Sequence, residues 1–384
     1  MTQVSEITTF HLLPELWEGG LERGVIEQAI WLRARGLNPV VISAGGRWVG
    51  RLRDHDVTHI PMELNRRNPY KVLSCVSRLR KLIRHHDPKI LSAHSRIPAL
   101  VAHMATSKKT KGLHSPPLIT NAQGYYEKHM VSRVIGRGDI VVAVSGAIRD
   151  HLSGKLGTDA SRIRVIPRGT IGVDNSSVTD DECDALREKW RVYNNAPVVA
   201  CVGRLSASKG WEDVIEASKY IPDPLPFFVF VGEAHPGRTR YRDHIVKLIA
   251  ESGHEGNFIF AGHIDKMSAV YEIADVVAVP SRIPEPFGRV IMESIMSLTP
   301  FVTSDGSGIS EFLNGDFREF TIPVKSPLLL AKHIVRMIEY ADAYESLLGK
   351  LRSEILEKMT IDDEMSMTLD VYRELRPGVN WPSV

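Results

Sequence analysis

Short apolar runs alternate with helical patterns along this chain, and the alternation runs through twice. ITTFHLL reads as a strand, LERGVIEQAIWLRARG as a helix closed by Gly36, and NPVVISAGG as a strand ending in glycines. The helix-like KVLSCVSRLRKLIRHHD, the strand-like KILSAHS and the apolar PALVAHMA follow, then PLITNAQG, DIVVAVSG and RIRVIPRG as strands. Strands separated by helices pair in parallel through crossovers, which predicts a doubly wound α/β sheet. The pattern breaks in the polar stretch TIGVDNSSVTDDECDALREKWRVYNNAP, which holds one short helix, and restarts with PVVACVGRL. PFFVFVGEA, NFIFAGHI, ADVVAVPS and PFVTSDGSG are further strands with helical segments between them.

Two α/β halves imply two domains, and a length of 384 residues suits that number. The linker is expected near residues 170–180, giving domains of 1–175 and 176–363. The closing helical pattern DDEMSMTLDVYRELRP, with a cap at Asp362 or Asp363, is expected to pack back on the first domain over about residues 364–384. Hydrophobic content of 43% and charged content of 24% are those of an ordinary soluble chain. A formal net charge of +2 carries no nucleic-acid-like excess. Cys75, Cys183 and Cys201 are far apart and form no CxxC pair, which argues against a zinc site or disulfide framework and for a reduced cytoplasmic setting. The first residues lack the basic and apolar regions of a signal peptide, and no apolar run approaches a membrane span.

Ligands of open α/β sheets bind beyond the carboxyl ends of the strands, so the residues following each strand are the first candidates. Gly19 and Gly20 stand at a loop-to-helix junction, where bare N–H groups and the helix field favour an anion; a plain turn is the alternative. The spacing is not GxGxxG, so a nicotinamide cofactor is not favoured. In GRLSASKGW, Arg204 and Lys209 lie between a strand and a helix and suit a diphosphate, the Arg by forked bonds and the Lys as a point charge; two solvated surface cations are the alternative. In SRIPEPFGRVIMES, Pro284 and Pro286 fix a loop around Glu285, Gly288 lets backbone N–H groups approach a ligand, and Glu293 lies about one turn into a greasy helix. A carboxylate there needs a partner, either an internal cation or a ligand.

The GG after the first strand, GRLSASKG, and the E-x7-E of EPFGRVIME together resemble the retaining glycosyltransferases of family four, with the GT-B architecture of two Rossmann-like doubly wound domains facing across a cleft. The resemblance covers nearly the whole chain and includes VVAVSGAIRDHL, RIRVIPRG, YEIADVVAVPS and the closing helix with Tyr372. SAHSRIPA, VIGRGDIVVAVS and EPFGRVIMES look most like the bacterial transferases that build lipopolysaccharide cores, several of which use GDP-mannose.

That resemblance implies a GDP- or UDP-linked sugar as donor, no further cofactor and no metal. Glu285 would bind donor-sugar hydroxyls, and backbone N–H groups around Phe287, Gly288, Arg289 and Val290 would hold sugar and phosphate oxygens. Glu293 would accept from the ribose diol, and Ile264 would lie in the strip Gly262 to Ile264 beside the base. Arg204 and Lys209 would neutralise the leaving diphosphate, with Gly20 approaching it as the domains close. Where related transferases often have a histidine near the anomeric centre, this chain has Gln123, after LITNA; His94, after KILSA, is the other candidate. The DHD at Asp54–Asp56 looks like the DxD of another architecture but sits in a polar turn and reads as surface.

Arg66, Arg67, Lys71, Arg78, Arg80, Lys81 and Arg84 cluster on or near one helix, and Lys108, Lys109 and Lys111 form a second group. They read either as a solvated face or as a surface for an anionic lipid-linked acceptor or the inner face of the cytoplasmic membrane. Trp48, Tyr125 and Tyr126 are candidates for stacking on acceptor sugars. The leading expectation is transfer of a hexose to a bacterial surface glycan such as lipopolysaccharide core or a lipid-linked saccharide. An epimerase or a sugar-phosphate-accepting synthase is the alternative among enzymes. An inactive sugar-nucleotide-binding partner subunit is the alternative of another class, favoured by Gln123 and opposed by Arg204, Lys209, Glu285 and Glu293.

Overall fold

The structure is a computed structural model that describes residues 7–17, 19–66, 68–107, 115–128, 131–170, 178–193, 196–234 and 240–384. It divides into two compact units, Met1–Gly169 with Ile361–Val384, and Thr170–Thr360. The divisions thus fall at 169/170 and 360/361. The sequence had suggested 175/176 and 363/364, and residues 171–177 of the expected linker lie outside the described residues.

The first unit runs β1 (Thr8–Leu12), α1 (Gly20–Ala34), β2 (Asn38–Ser43), α2 (Val49–Asp54), β3 (Thr58–Pro61), α3 (Pro69–His86), β4 (Ile90–Ala93), α4 (Arg96–Thr106), β5 (Leu118–Ala122), β6 (Ile140–Ala143), α5 (Gly146–Leu156) and β7 (Ile163–Val165). Its strands form one parallel seven-stranded sheet in the order β3-β2-β1-β4-β5-β6-β7. Helix ends follow local chemistry. The Asn68 side chain accepts from the Tyr70 N–H at 2.9 Å and Pro69 opens α3, while Gly36 just past α1 takes a φ of 79°.

The second unit runs α6 (Asp180–Trp190), β8 (Val198–Val202), α7 (Trp211–Ser218), β9 (Phe227–Val231), α8 (Arg240–Ser252), β10 (Phe258–Gly262), α9 (Met267–Ile273), β11 (Val276–Val279), α10 (Arg289–Met296), β12 (Phe301–Ser304), β13 (Thr321–Ile322), α11 (Pro327–Glu339) and α12 (Ala341–Leu356). Its sheet is also parallel, in the order β10-β9-β8-β11-β12-β13. Thr179 and Glu182 form a reciprocal capping box at α6.

The last helix, α13 (Ile361–Leu375), belongs to the first unit, where Met365, Leu369, Val371 and Tyr372 pack with Trp31, Leu32, Ile90, Ile119 and Ile140. It begins at Ile361, so Asp362 and Asp363 lie in its first turn and not at its cap. Asp362 instead accepts from Trp31 Nε1 at 2.6 Å and Arg35 at 3.0 Å. No helix among the described residues is long and apolar enough to cross a membrane.

In each sheet the chain works outward in one direction, then returns to the middle and works outward in the other. The reversal falls between β1 and β4 in the first unit and between β8 and β11 in the second. A crevice opens beyond the carboxyl ends of the strands at such a reversal.

Candidate active site

In the second unit the residues after β8 and after β11 meet at that reversal. Gly203, Arg204 and Leu205 leave β8, a short turn carries Lys209, and Gly210 starts α7. Gly210 has a φ of 74°, and a Cβ on it would fall 2.0 Å from the Pro280 carbonyl oxygen, so only glycine lets the two loops approach this closely. Ser208 O accepts from the Arg282 N–H at 2.8 Å. The Arg282 guanidinium forks onto both Asp213 oxygens at 2.9 and 2.7 Å and lies 3.4 Å from Glu212. The turn bearing Lys209 is therefore tied on both sides to the loop bearing Glu285.

Lys209 Nζ donates to Glu285 Oε1 at 2.7 Å, and Ser281 Oγ donates to the same oxygen at 2.5 Å. The Lys209 and Glu285 side chains are only 20% and 18% exposed, so neither is a freely solvated charge. The Glu285 carbonyl accepts from the Gly308 N–H at 2.7 Å, and a Cβ on Gly308 would strike the Pro286 carbonyl oxygen at 2.1 Å. Gly288, with a φ of 102°, is the N-cap of α10 and brings no side-chain cap. The first N–H groups of α10, from Arg289, Val290 and the next residue, have no acceptor within the helix and carry its positive end. Phe287 is buried beside them and orders the turn. Arg204 is exposed, and among the described residues its guanidinium has no ion pair or hydrogen bond; its carbonyl accepts from Trp211 Nε1 at 3.2 Å.

Glu293 faces differently from the expectation. Its Oε2 accepts from the Tyr271 hydroxyl at 2.7 Å, and its Oε1 lies 3.4 Å from Arg289 Nε, one turn earlier. Its burial in an apolar helix is thus already compensated inside the protein, and a ligand is not needed to explain it. A carboxylate has further lone pairs to offer. Ile264 is half-buried just past β10.

In the first unit, α1 starts at Gly20 after an N-cap glycine, Gly19, which has a φ of 157° and no side chain to cap with, and the Glu22 carboxylate of the first turn lies against it, where a Cβ on Gly19 would fall 2.3 Å from Glu22 Oε2. His94 does not line a surface. It is 0% exposed, its Nε2 bonds to Ser92 Oγ at 3.2 Å, and its ring stacks 5.8 Å from that of His11. Burial lowers the pKa of His94 well below the ordinary value, with His11 and the Arg168 charge acting the same way, and burial alone brings His11 down to about 4. The expected role of His94 at the anomeric centre is corrected accordingly, because a fully enclosed imidazole touches no external ligand.

Gln123 is half-buried and shares a small cavity with Gln28, Asn121, Arg168, Glu364 and Tyr372. Gln123 Nε2, Gln28 Oε1 and the Tyr372 hydroxyl are buried there without a protein partner. Arg168 and Glu364 pair at 2.7 Å, and Glu364 also accepts from the Gly169 N–H at 2.8 Å. Asp54 to Asp56 are exposed, as a surface turn requires. Trp48 is half-buried and packs partly against the cluster of Leu13, Leu16 and Val25.

Lys71, Arg78, Lys81 and Arg84 are exposed on α3 and Arg66 just before it, whereas Arg80 turns inward and caps α4 by donating to Met104 O at 2.8 Å. Arg67, Lys108, Lys109 and Lys111 lie outside the described residues. Among the described residues, no group of three His, Cys, Asp or Glu side chains is placed to hold a metal ion.

Ser281, Arg282, Asp213 and Tyr271 were missed in the sequence. Ser281 alone carried a signal, as the residue directly beyond a strand. The other three act through contacts between segments distant in the chain.

Two all-parallel doubly wound units, each reversing direction at mid-sheet, define the GT-B class of α/β protein. The family model described as Glycosyltransferase Family 4 matches residues 18–170, in the first unit, and that described as Glycosyl transferases group 1 matches residues 183–349, in the second. The chain belongs to the family-four glycosyltransferases. It is similar to an uncharacterized glycosyltransferase of Methanocaldococcus jannaschii, 25% identical over 61% of this chain and 59% of that one. It is also similar to the lipopolysaccharide core biosynthesis glycosyltransferase LpsE of Rhizobium meliloti, 28% identical over 49% and 52%. The chain thus spans about half to three-fifths of the length of these relatives. Among solved structures it is similar to Anabaena HepE in complex with UDP and glucose, with a TM-score of 0.81 at 21% identity over 97% of this chain and 100% of that one.

Proposed function

We propose that this protein is a retaining, metal-independent glycosyltransferase that moves a hexose from a nucleotide-diphosphate sugar to a bacterial surface glycan acceptor, such as lipopolysaccharide core or a lipid-linked saccharide. The observation that carries the reading is the meeting of Lys209, Ser281 and Glu285 across the β8/β11 reversal, beside the N-terminus of α10, whose N-cap Gly288 brings no side-chain cap. Glu285 accepts hydroxyls of the donor sugar. The α10 N–H groups, Lys209 and exposed Arg204 take up charge as the diphosphate leaves. Glu293 accepts from the ribose diol. The bond from the anomeric carbon to the diphosphate oxygen breaks, the acceptor oxygen bonds to that carbon on the same face, and its proton passes to the departing phosphate.

The donor is UDP- or GDP-linked; the UDP in the HepE complex supports the first. The likeness to LpsE supports a lipopolysaccharide-type acceptor. The exposed cations of α3, with Tyr70 83% and Leu73 55% exposed on the same helix, suit a peripheral place on the inner face of the cytoplasmic membrane.

The test is turnover of UDP- and GDP-hexoses with lipopolysaccharide-core saccharides in the presence of a metal chelator, followed by proton NMR of the anomeric signal. Net retention with one donor is expected. An inverted product, dependence on a divalent ion, or binding of donor without any transfer or hydrolysis would overturn the reading, the last in favour of an inactive partner subunit.

A further inference from the structure

We propose that Ser281 is a positioning residue that fixes which oxygen of Glu285 meets the donor sugar and thereby sets the choice between epimeric hexoses; this rests on the reading of the site given above. Both hydrogen bonds that Glu285 receives fall on one oxygen. Lys209 Nζ and Ser281 Oγ reach Oε1 at 2.7 and 2.5 Å, and among the described residues Oε2 accepts nothing. Oε2 is also absent from the buried polar atoms that lack a partner, so it faces accessible space.

The two donors have different effects. A lysine ammonium is a point charge on a flexible stem, and it holds a carboxylate nearby without fixing its plane. A hydroxyl on a short, buried side chain is directional. Ser281 is 2% exposed and its own N–H bonds to Val279 O at 2.8 Å. Its neighbour Arg282 is locked onto Asp213 and Ser208, and Pro280 lies against Gly210. Ser281 therefore sits on a rigid support, the condition under which a polar group positions another. With Oε1 fixed, the lone pairs of Oε2 point in set directions. A hexose hydroxyl in one configuration meets them, and its epimer leaves the carboxylate oxygen unmatched.

The test compares the wild-type chain with Ser281→Ala and Ser281→Thr by titration calorimetry. The ligands are UDP, UDP-glucose and UDP-galactose, with GDP, GDP-mannose and GDP-glucose as the parallel set. Wild type is expected to separate one epimeric pair. In Ser281→Ala the affinity for the free nucleotide stays within about twofold, while the ratio between epimers falls about tenfold, the size of one hydrogen bond to a charged group. Ser281→Thr, which keeps the hydroxyl, restores the ratio. A wild-type ratio retained in a folded Ser281→Ala protein overturns the proposal. So does an equal loss of nucleotide and nucleotide-sugar affinity, which marks a structural serine, and so does a wild type that binds both epimers alike. A wild type that binds none of the nucleotides overturns the functional reading itself, and the two failures are thereby told apart.

Discussion

His11 and His94 are buried side by side as neutral rings, and their burial has a pH consequence. At neutral pH the folded chain keeps both rings neutral, and the unfolded chain, with an ordinary pKa near 6.5, leaves them mostly neutral. Below about pH 6.5 the unfolded chain takes up a proton at His11 that the folded chain refuses until about pH 4, so the contribution of His11 falls as pH drops through that window. The loss amounts to about 3 kcal/mol at the lower end, by the conversion of pKa difference to free energy. Thr9 and His94 face the ring, and neither supplies a negative charge to offset it. His11→Gln should flatten the dependence of melting temperature on pH between 6.5 and 4, and an unchanged slope would contradict the assignment. Glu293 gives a second contrast. Glu293→Ala should weaken binding of the free nucleotide about tenfold, the scale of a hydrogen bond to a charged group. Tyr271→Phe, which removes only the internal hydroxyl, should lower stability by about 1 kcal/mol and leave that affinity within a few-fold. Equal affinities in the two variants, measured by calorimetry, would make Glu293 structural. The sequence pointed to Glu293 because a carboxylate among Val290, Ile291 and Met292 needs a partner, yet Tyr271 is 22 residues away and nothing local announces it.

Elements were more legible than residues, because hydrophobic period and turn chemistry are local. The strands around both reversals and the helix after Gly288 follow from apolar runs, glycines and prolines. The two-residue β13 left no period to read. The expected cap at Asp362 or Asp363 lies inside the helix instead, which begins at Ile361, and the Asp362 carboxylate is taken by the distant Trp31 and Arg35. Arg80 failed in the same way, since the carbonyls it caps belong to α4. At this scale the close loop approaches are the sharpest prediction. Gly308→Ala forces a Cβ onto the Pro286 carbonyl and should cost more than about 2 kcal/mol, as overpacked, strained sites do. Gly154→Ala lies in α5 with open space around it and should be neutral or stabilising by up to about 1 kcal/mol. Thermal unfolding of the two variants makes the comparison, and a tolerant Gly308 would mean the Glu285 loop is not held as described.

At the scale of the whole chain, two parallel sheets were evident from strand–helix alternation, and the reversal in each follows from its topology. The division at 169/170 was not readable to the residue, since it depends on where Glu364 returns to hold Arg168 and the Gly169 N–H. Much of the candidate site in the second unit was legible. Lys209 and Glu285 lie 76 residues apart and come within 2.7 Å. Ser281 and the Arg282–Asp213 clamp, which fix their geometry, emerge only when the two loops are brought together. The central claim is that this second unit binds a nucleotide-diphosphate sugar through Lys209 and Glu285. The most direct test is a thermal-shift titration of the wild-type chain and Lys209→Ala with UDP, GDP, ADP and their common sugars, because a ligand of the folded state raises the melting temperature by mass action. The account predicts that one UDP or GDP series stabilises wild type, and that Lys209→Ala folds but needs at least about tenfold more ligand for the same shift. No shift with any nucleotide, or an equal shift in both proteins, would contradict it.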